Sequence, residues 1–241
     1  MAYVDFVSRV HTPTKRDYVS RVTAVDKSKA AEIALRFDKD YWDGDRDVGY
    51  GGYRYDGRWR AVADAMVQHY GLKSGDRVLD VGCGIGGPAR ALATRLGCPV
   101  TGLDLTPDFC ACARELNYLF GVEDLVEIVE GSALDMPFDD ESFDAVVTQH
   151  ASMNIEDKAT LYREIARVLE PGGRFGLYDI MQGPGGDVHY PVPWAANPEI
   201  SFLAEPGAVK ALSEAAGLRQ LKWEDVSEKG LAWMVEQKAK R

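Results

Sequence analysis

The stretch Val78-Leu79-Asp80-Val81-Gly82-Cys83-Gly84-Ile85-Gly86-Gly87 holds the residue types best placed to do chemistry in this 241-residue chain. An apolar run ends there in a turn where Gly82, Gly84 and Gly87 satisfy G-x-G-x-x-G. Glycines in such a turn permit positive φ and let a ligand approach the backbone closely. Several classes of nucleotide binder share that loop, so it does not choose between them. Asp104 ends the next apolar run, 20 residues beyond Gly84, where a carboxylate can accept hydrogen bonds from both hydroxyls of an adenosine ribose. Asp80 discriminates. Two residues before the first glycine, a carboxylate is poorly placed beside a pyrophosphate but can order a water or the loop beneath a cationic ligand.

Further along, Gln149 and His150 close one apolar run and Tyr178 and Asp179 close another, while His189 lies in a stretch rich in Gly and Pro. Ligands of open α/β sheets bind outside the carboxyl ends of the strands, which makes these side chains candidates to meet a second reactant. Histidine titrates near neutrality, so His150 and His189 are candidate general bases, although a histidine at a strand end can equally serve the backbone. Cys83, Cys98, Cys110 and Cys112 lack the paired C-x-x-C spacing of a zinc site and read as reduced, buried thiols, with no metal expected.

The elements that must position these residues alternate from about residue 75 onward, as short apolar runs and helix-length periodic segments. That is the βαβ pattern of a doubly wound, mostly parallel sheet. Strands are expected at Arg77 to Val81, Pro99 to Leu105, Leu125 to Glu130, Phe143 to Gln149 and Arg174 to Ile180. Pro88 opens one helix that Gly97 closes, and Thr106-Pro107-Asp108 opens a second running to about Gly121. A third starts near Asp157, puts Leu161, Ile165, Val168 and Leu169 on one stripe, and stops at Pro171-Gly172-Gly173. After a long loop from Gln182 to Pro198, a helix at Ala208 to Ala216, a sixth strand near Leu218 to Val226 and a helical segment from Ser227 are expected. No seventh strand is legible, and an open sheet edge of that kind favours a homodimer.

Residues 1–70 differ in kind and form an expected helical, aromatic-rich extension to a domain at 71–241. Trp42, Tyr50, Tyr53, Tyr55 and Trp59 crowd it, either to cover the sheet edge or to act as a lid. The formal net charge of -10, with Lys and Arg scattered, argues against nucleic acid as substrate. No apolar run approaches the roughly 18 to 20 residues of a membrane span, and the N-terminal stretch has no signal-like apolar segment. The expected setting is cytoplasmic, away from membranes.

Four ordered segments carry a family resemblance: Arg77 through Gly87; Val100-Thr101-Gly102-Leu103-Asp104-Leu105; Leu134-Asp135-Met136-Pro137-Phe138 before Phe143-Asp144-Ala145-Val146; and Val168-Leu169-Glu170-Pro171-Gly172-Gly173-Arg174. They resemble the motifs of Rossmann-like class I S-adenosylmethionine-dependent methyltransferases. The likeness is strongest to the branch of ubiquinone/menaquinone C-methyltransferases and sarcosine/dimethylglycine N-methyltransferases. It implies transfer of a methyl group from S-adenosylmethionine to a small-molecule nitrogen, oxygen or carbon, leaving S-adenosylhomocysteine. It also implies that Asp80, Gly82 and Gly84 cradle the methionine part, Asp104 holds the ribose, and Leu105 packs on the adenine. Ser132-Ala133 stands where many members have an Asp before the Ala that meets the adenine amino group. Gln149 would face both the sulfonium and the acceptor. By position rather than by resemblance, Tyr53 is a candidate to close over the cofactor, and His150, His189 and Tyr178 are candidates to serve the acceptor. Two other classes share parts of this pattern: a protein that binds S-adenosylmethionine without transferring its methyl, and an NAD(P)-dependent oxidoreductase.

Overall fold

The computed structural model describes residues 71–192 and 194–231, with Glu32, Asp64, Val67 and Gln68 besides. The described part of one compact unit runs from Asp64 to Leu221, and Glu32 and Lys222 to Leu231 belong to a second. The expected extension at 1–70, with Tyr53 and its neighbouring aromatics, lies almost wholly outside the described residues.

Among the described residues five strands form the sheet: β1 (Val78–Val81), β2 (Val100–Asp104), β3 (Val126–Glu130), β4 (Phe143–Gln149) and β5 (Leu169–Tyr178). All pairs are parallel, in the order β3-β2-β1-β4-β5. The order reverses between β1 and β4, and crevices at such a reversal are where α/β sheets bind ligands. Within the described part of the sheet-bearing unit the helices α1 (Gly87–Leu96), α2 (Pro107–Phe120), α3 (Lys158–Val168) and α4 (Pro206–Ala215) follow strands or loops.

Local chemistry sets the ends. Gly97 and Gly121 close α1 and α2 in the left-handed conformation, and the Asp157 side chain caps α3 by accepting from the Thr160 N–H. The central strand β1 is buried at all four positions, as a parallel strand covered on both faces must be. Val100, Leu103, Ala145 and Val146 surround it, and Leu161, Ile165 and Val168 seal one face from α3. Burying a Val or Leu side chain contributes about 1.5–3 kcal/mol, so this layer dominates the stability of the unit.

Two boundaries differ from the sequence reading. Helix α3 ends at Val168 rather than at Pro171, because Glu170 precedes a proline and is pushed out of the helical region, and the chain is already extended from Leu169. The regular β4–β5 register resumes only at Arg174, opposite Ala145. Residues 218–226 form no strand: Leu218 N–H is used by the Ser213 carbonyl at the end of α4, and Leu221 lies exposed, so the alternating apolar face is not buried. Ser227 to Leu231 are helical, as their pattern suggests.

Candidate active site

The glycine turn is built by β1 reaching across to β2. The N–H groups of Gly82 and Cys83 both donate to the Leu103 carbonyl, at 2.8 and 3.1 Å. Gly82 has φ 73°, and a Cβ there would collide with the Ala151 Cβ, so the chain following β4 itself demands a glycine. Gly84 has φ 54° and nothing within 4 Å of a would-be Cβ, which leaves open space above its peptide.

Asp104 ties the two loops together. One carboxylate oxygen accepts from the Gly84 N–H at 2.8 Å and the other from the Thr106 N–H at 2.9 Å. A carboxylate has about four acceptor sites, so capacity remains for two ribose hydroxyls. Leu105, beside it, is 71% exposed and presents an apolar surface for a flat ring. The Ser132 hydroxyl accepts from the Leu134 N–H at 3.1 Å and keeps its own proton to donate, so its turn is braced with a polar group in hand. Arg167 on α3 locks the downstream part of this turn by donating to the carbonyls of Met136 and Phe138, while Glu164 accepts from the Met136 N–H.

Asp80 is the unusual group. It is 1% exposed beneath the glycine turn, and it accepts the Ala89 N–H at the start of α1. Its second oxygen, Oδ2, has no hydrogen-bond partner among the described residues. Burial pushes the carboxyl up to about 7; the Ala89 hydrogen bond lowers it, and the Asp104 charge raises it further. A buried carboxyl with a free oxygen under an open glycine cradle suits a ligand that brings positive charge, and works against a pyrophosphate. S-adenosylmethionine, cationic at both ammonium and sulfonium, fits that requirement.

The other half of the edge gathers around the end of β4. Gln149 is half-buried and pairs with Tyr178 across the β4–β5 ladder. His150 takes φ 54°, a left-handed conformation that histidine tolerates better than most residues, and its N–H donates to the Tyr178 carbonyl at 2.9 Å. Its ring meets the Tyr178 ring edge to face, with centroids 4.9 Å apart. Partial desolvation lowers the imidazole pKa, and the Asp179 charge opposes that shift. Asp104, Asp80, Gln149, His150 and Tyr178 thus share the carboxyl edge of the sheet. His189 is exposed in the irregular stretch between β5 and α4, and no hydrogen bond or ring contact joins it to that group.

Three residues at this edge escape a reading of the sequence: Ser152, Asn154 and Lys158. Ser152–Asn154 form a 3-10 turn after β4. Nothing in their types or spacing signals a role, and a lysine at a helix start reads as surface charge although Lys158 is 6% exposed.

Residues 79–177 match the protein family described as "Methyltransferase domain". The fold, the motifs in their order and this match make that segment a class I S-adenosylmethionine-dependent methyltransferase domain, with S-adenosylmethionine as its cofactor. Among particular relatives, the chain is 31% identical to the glycine/sarcosine/dimethylglycine N-methyltransferase of Actinopolyspora halophila, over 94% of this chain and 39% of that protein. It is 42% identical to a sterol 24-C-methyltransferase of Gibberella zeae, over 48% of this chain and 32% of that protein. The chain therefore spans well under half the length of these curated relatives. Among solved structures, the [4+2]-cyclase SpnF aligns with a TM-score of 0.62 and 28% identity, covering 78% of this chain and 65% of that one.

Proposed function

We propose that this chain transfers a methyl group from S-adenosylmethionine to a small-molecule acceptor. The observation that carries this reading is the buried Asp80 carboxyl with its unpartnered oxygen, set beneath a glycine turn that Asp104 ties to the end of β2. When bound, the cofactor supplies a methyl already activated on a sulfonium for in-line displacement. The protein's share is then alignment and the exclusion of water. Asp80 balances the positive charge of the methionine end, Gly82 and Gly84 admit its backbone-like atoms, and Asp104 accepts from the ribose hydroxyls. Ser132 and Ala133 meet the adenine edge, and Leu105 covers its face. Gln149 faces the point of transfer, and His150 and Tyr178 meet the acceptor, with His150 able to take a proton where the acceptor is a hydroxyl, an acidic carbon or a protonated amine. His189 is a second candidate on the long loop.

The acceptor is a metabolite-sized nitrogen, oxygen or carbon nucleophile. The relatives named for sterols and for glycine derivatives support that size class, and a net charge of -10 disfavours nucleic acid. A cytoplasmic setting and a homodimer belong to the same reading. No described helix is long and apolar enough to cross a membrane, and among the described residues β5 has only β4 as a strand neighbour. Cofactor binding without methyl transfer is a second reading, favoured by the likeness to a protein named as a [4+2]-cyclase. Incubation with methyl-labelled S-adenosylmethionine and a metabolite extract separates the two. Label in a small molecule supports transfer, and cofactor left intact beside a cyclised or isomerised product supports the second.

A further inference from the structure

A set of polar groups lies at the carboxyl edge beside the acceptor half, with Ser152 and Lys158 buried and Asp179 half-buried. Asp179 follows β5. One of its oxygens accepts from the Ser152 hydroxyl and from the Met153 N–H, the latter at 3.0 Å, and the other accepts from the Ile180 N–H at 2.9 Å. From the opposite side the Lys158 ammonium donates to the carbonyls of Ser152 and Ile155, at 2.9 and 2.8 Å. The 3-10 turn Ser152–Asn154 is therefore clamped by charge at both ends of its peptide dipoles: a carboxylate takes its N–H and O–H groups, and an ammonium takes its carbonyls. Hydrogen bonds to charged groups contribute more than neutral ones; the Lys158 bond to the Ser152 carbonyl is buried and the others are part-buried.

The clamped turn has two outputs. Upstream it continues from His150, whose backbone is fixed to Tyr178, the residue next to Asp179. Downstream it carries the long loop: Asn154 Nδ2 donates to the carbonyls of Trp194 and Ile200, at 2.9 and 2.7 Å, and Phe202 N–H donates to the Met153 carbonyl at 2.8 Å. The Trp194 indole is in turn held by the Ser201 hydroxyl at 3.0 Å. Both walls beyond Gln149, His150 on one side and the Trp194–Phe202 segment on the other, hang from one three-residue turn.

We infer that Asp179, acting through Ser152 and opposed by Lys158, is the positioning residue of the acceptor half: it fixes His150 and docks the 194–202 loop. This rests on the acceptor-side role proposed above. Asp179 touches no reacting atom. It sets where the imidazole sits and, as the carboxylate facing it, how readily that imidazole holds a proton. Among the described residues, Tyr178 is the other titratable group against His150. Lys158 and the buried phenol of Tyr162, both on α3, face Asp179 from the far side.

The test uses the full-length chain and no acceptor. The four histidines are titrated by NMR, with the His150 signal assigned by its loss in His150→Gln. Asp179→Asn keeps an oxygen that can accept from Ser152 and Met153 but removes the charge. The His150 midpoint is expected to fall by about half a pH unit or more, with S-adenosylhomocysteine affinity kept within about twofold. Ser152→Ala keeps the charge and loosens the clamp, and amide exchange is expected to rise roughly tenfold or more in residues 152–155 and 194–202 together. A midpoint that stays or rises in Asp179→Asn, or exchange in Ser152→Ala that leaves the 194–202 loop unchanged, overturns the inference. Should Asp179→Asn not fold, the exchange pattern of Ser152→Ala decides alone. Failure of the wild-type chain to bind S-adenosylhomocysteine would instead count against the proposed function, and the titration would still report on the clamp.

Discussion

Replacing Asp80 by Asn should stabilise the ligand-free chain at alkaline pH and leave it nearly unchanged in acid. The carboxyl is raised from 3.8 to about 7 by burial, so the folded state holds its proton more tightly than the unfolded one. The stability this proton supplies is complete below pH 3.8 and is lost as pH rises through about 7. A rise of about three units at 1.36 kcal/mol each amounts to about 4 kcal/mol lost in full above neutrality. Asparagine keeps an acceptor for the Ala89 N–H and has no charge to desolvate. Denaturant unfolding of both proteins without cofactor, from pH 4 to 8.5, should give a stability difference near zero at the acid end that grows toward about 4 kcal/mol in favour of the variant. A difference that does not change with pH would refute the assignment of a buried, ionisable carboxyl at this position. The same substitution should weaken S-adenosylhomocysteine binding, since the ligand's ammonium would lose its counter-charge.

Gly82→Ala and Gly84→Ala should fail in different ways. At Gly82 the new methyl meets Ala151 within the fold and the residue has positive φ, so unfolding experiments should show a loss of about 2–4 kcal/mol. At Gly84 only the backbone preference is violated, at about 1 kcal/mol, and the main effect should be a weaker Kd for S-adenosylhomocysteine by calorimetry, because the methyl points into open space. Arg167→Met removes donors from the Met136 and Phe138 carbonyls and should cost about 2–3 kcal/mol in denaturant unfolding at pH 7. Part of that contribution should already be fading in the wild type in acid. The Arg167 hydrogen bond depresses the Glu164 carboxyl from 4.5, so its stabilising share is present above that value and is lost as pH falls through the depressed one.

Much of the sheet was readable because its signals are local. Pro88 and Gly97 bracket α1, Thr106-Pro107 opens α2, and Asp157 caps α3 within a residue of where the spacing puts it. The placement of Asp80 and Asp104 against the glycine turn was readable for a related reason: each lies at a fixed offset from it, so position in the chain stands in for position in space. The clamp on the 3-10 turn was not. Lys158 and Asp179 lie 21 positions apart and reach the same turn only because α3 packs against β5, and a lysine does not advertise burial. The strand expected at 218–226 shows the opposite failure, in which apolar alternation is present but pairs with no strand among the described residues.

The claim at the centre of this account is that Asp80, the glycine turn and Asp104 make one site for S-adenosylmethionine. Calorimetric titration of S-adenosylhomocysteine into the wild type and Asp104→Ala, with NAD as a control, tests it most directly. The account predicts saturable binding to the wild type, roughly thirtyfold weaker binding to the variant for about 2 kcal/mol of lost hydrogen bonding, and no heat with NAD. Equal affinity in the two proteins, or binding of NAD alone, would contradict it.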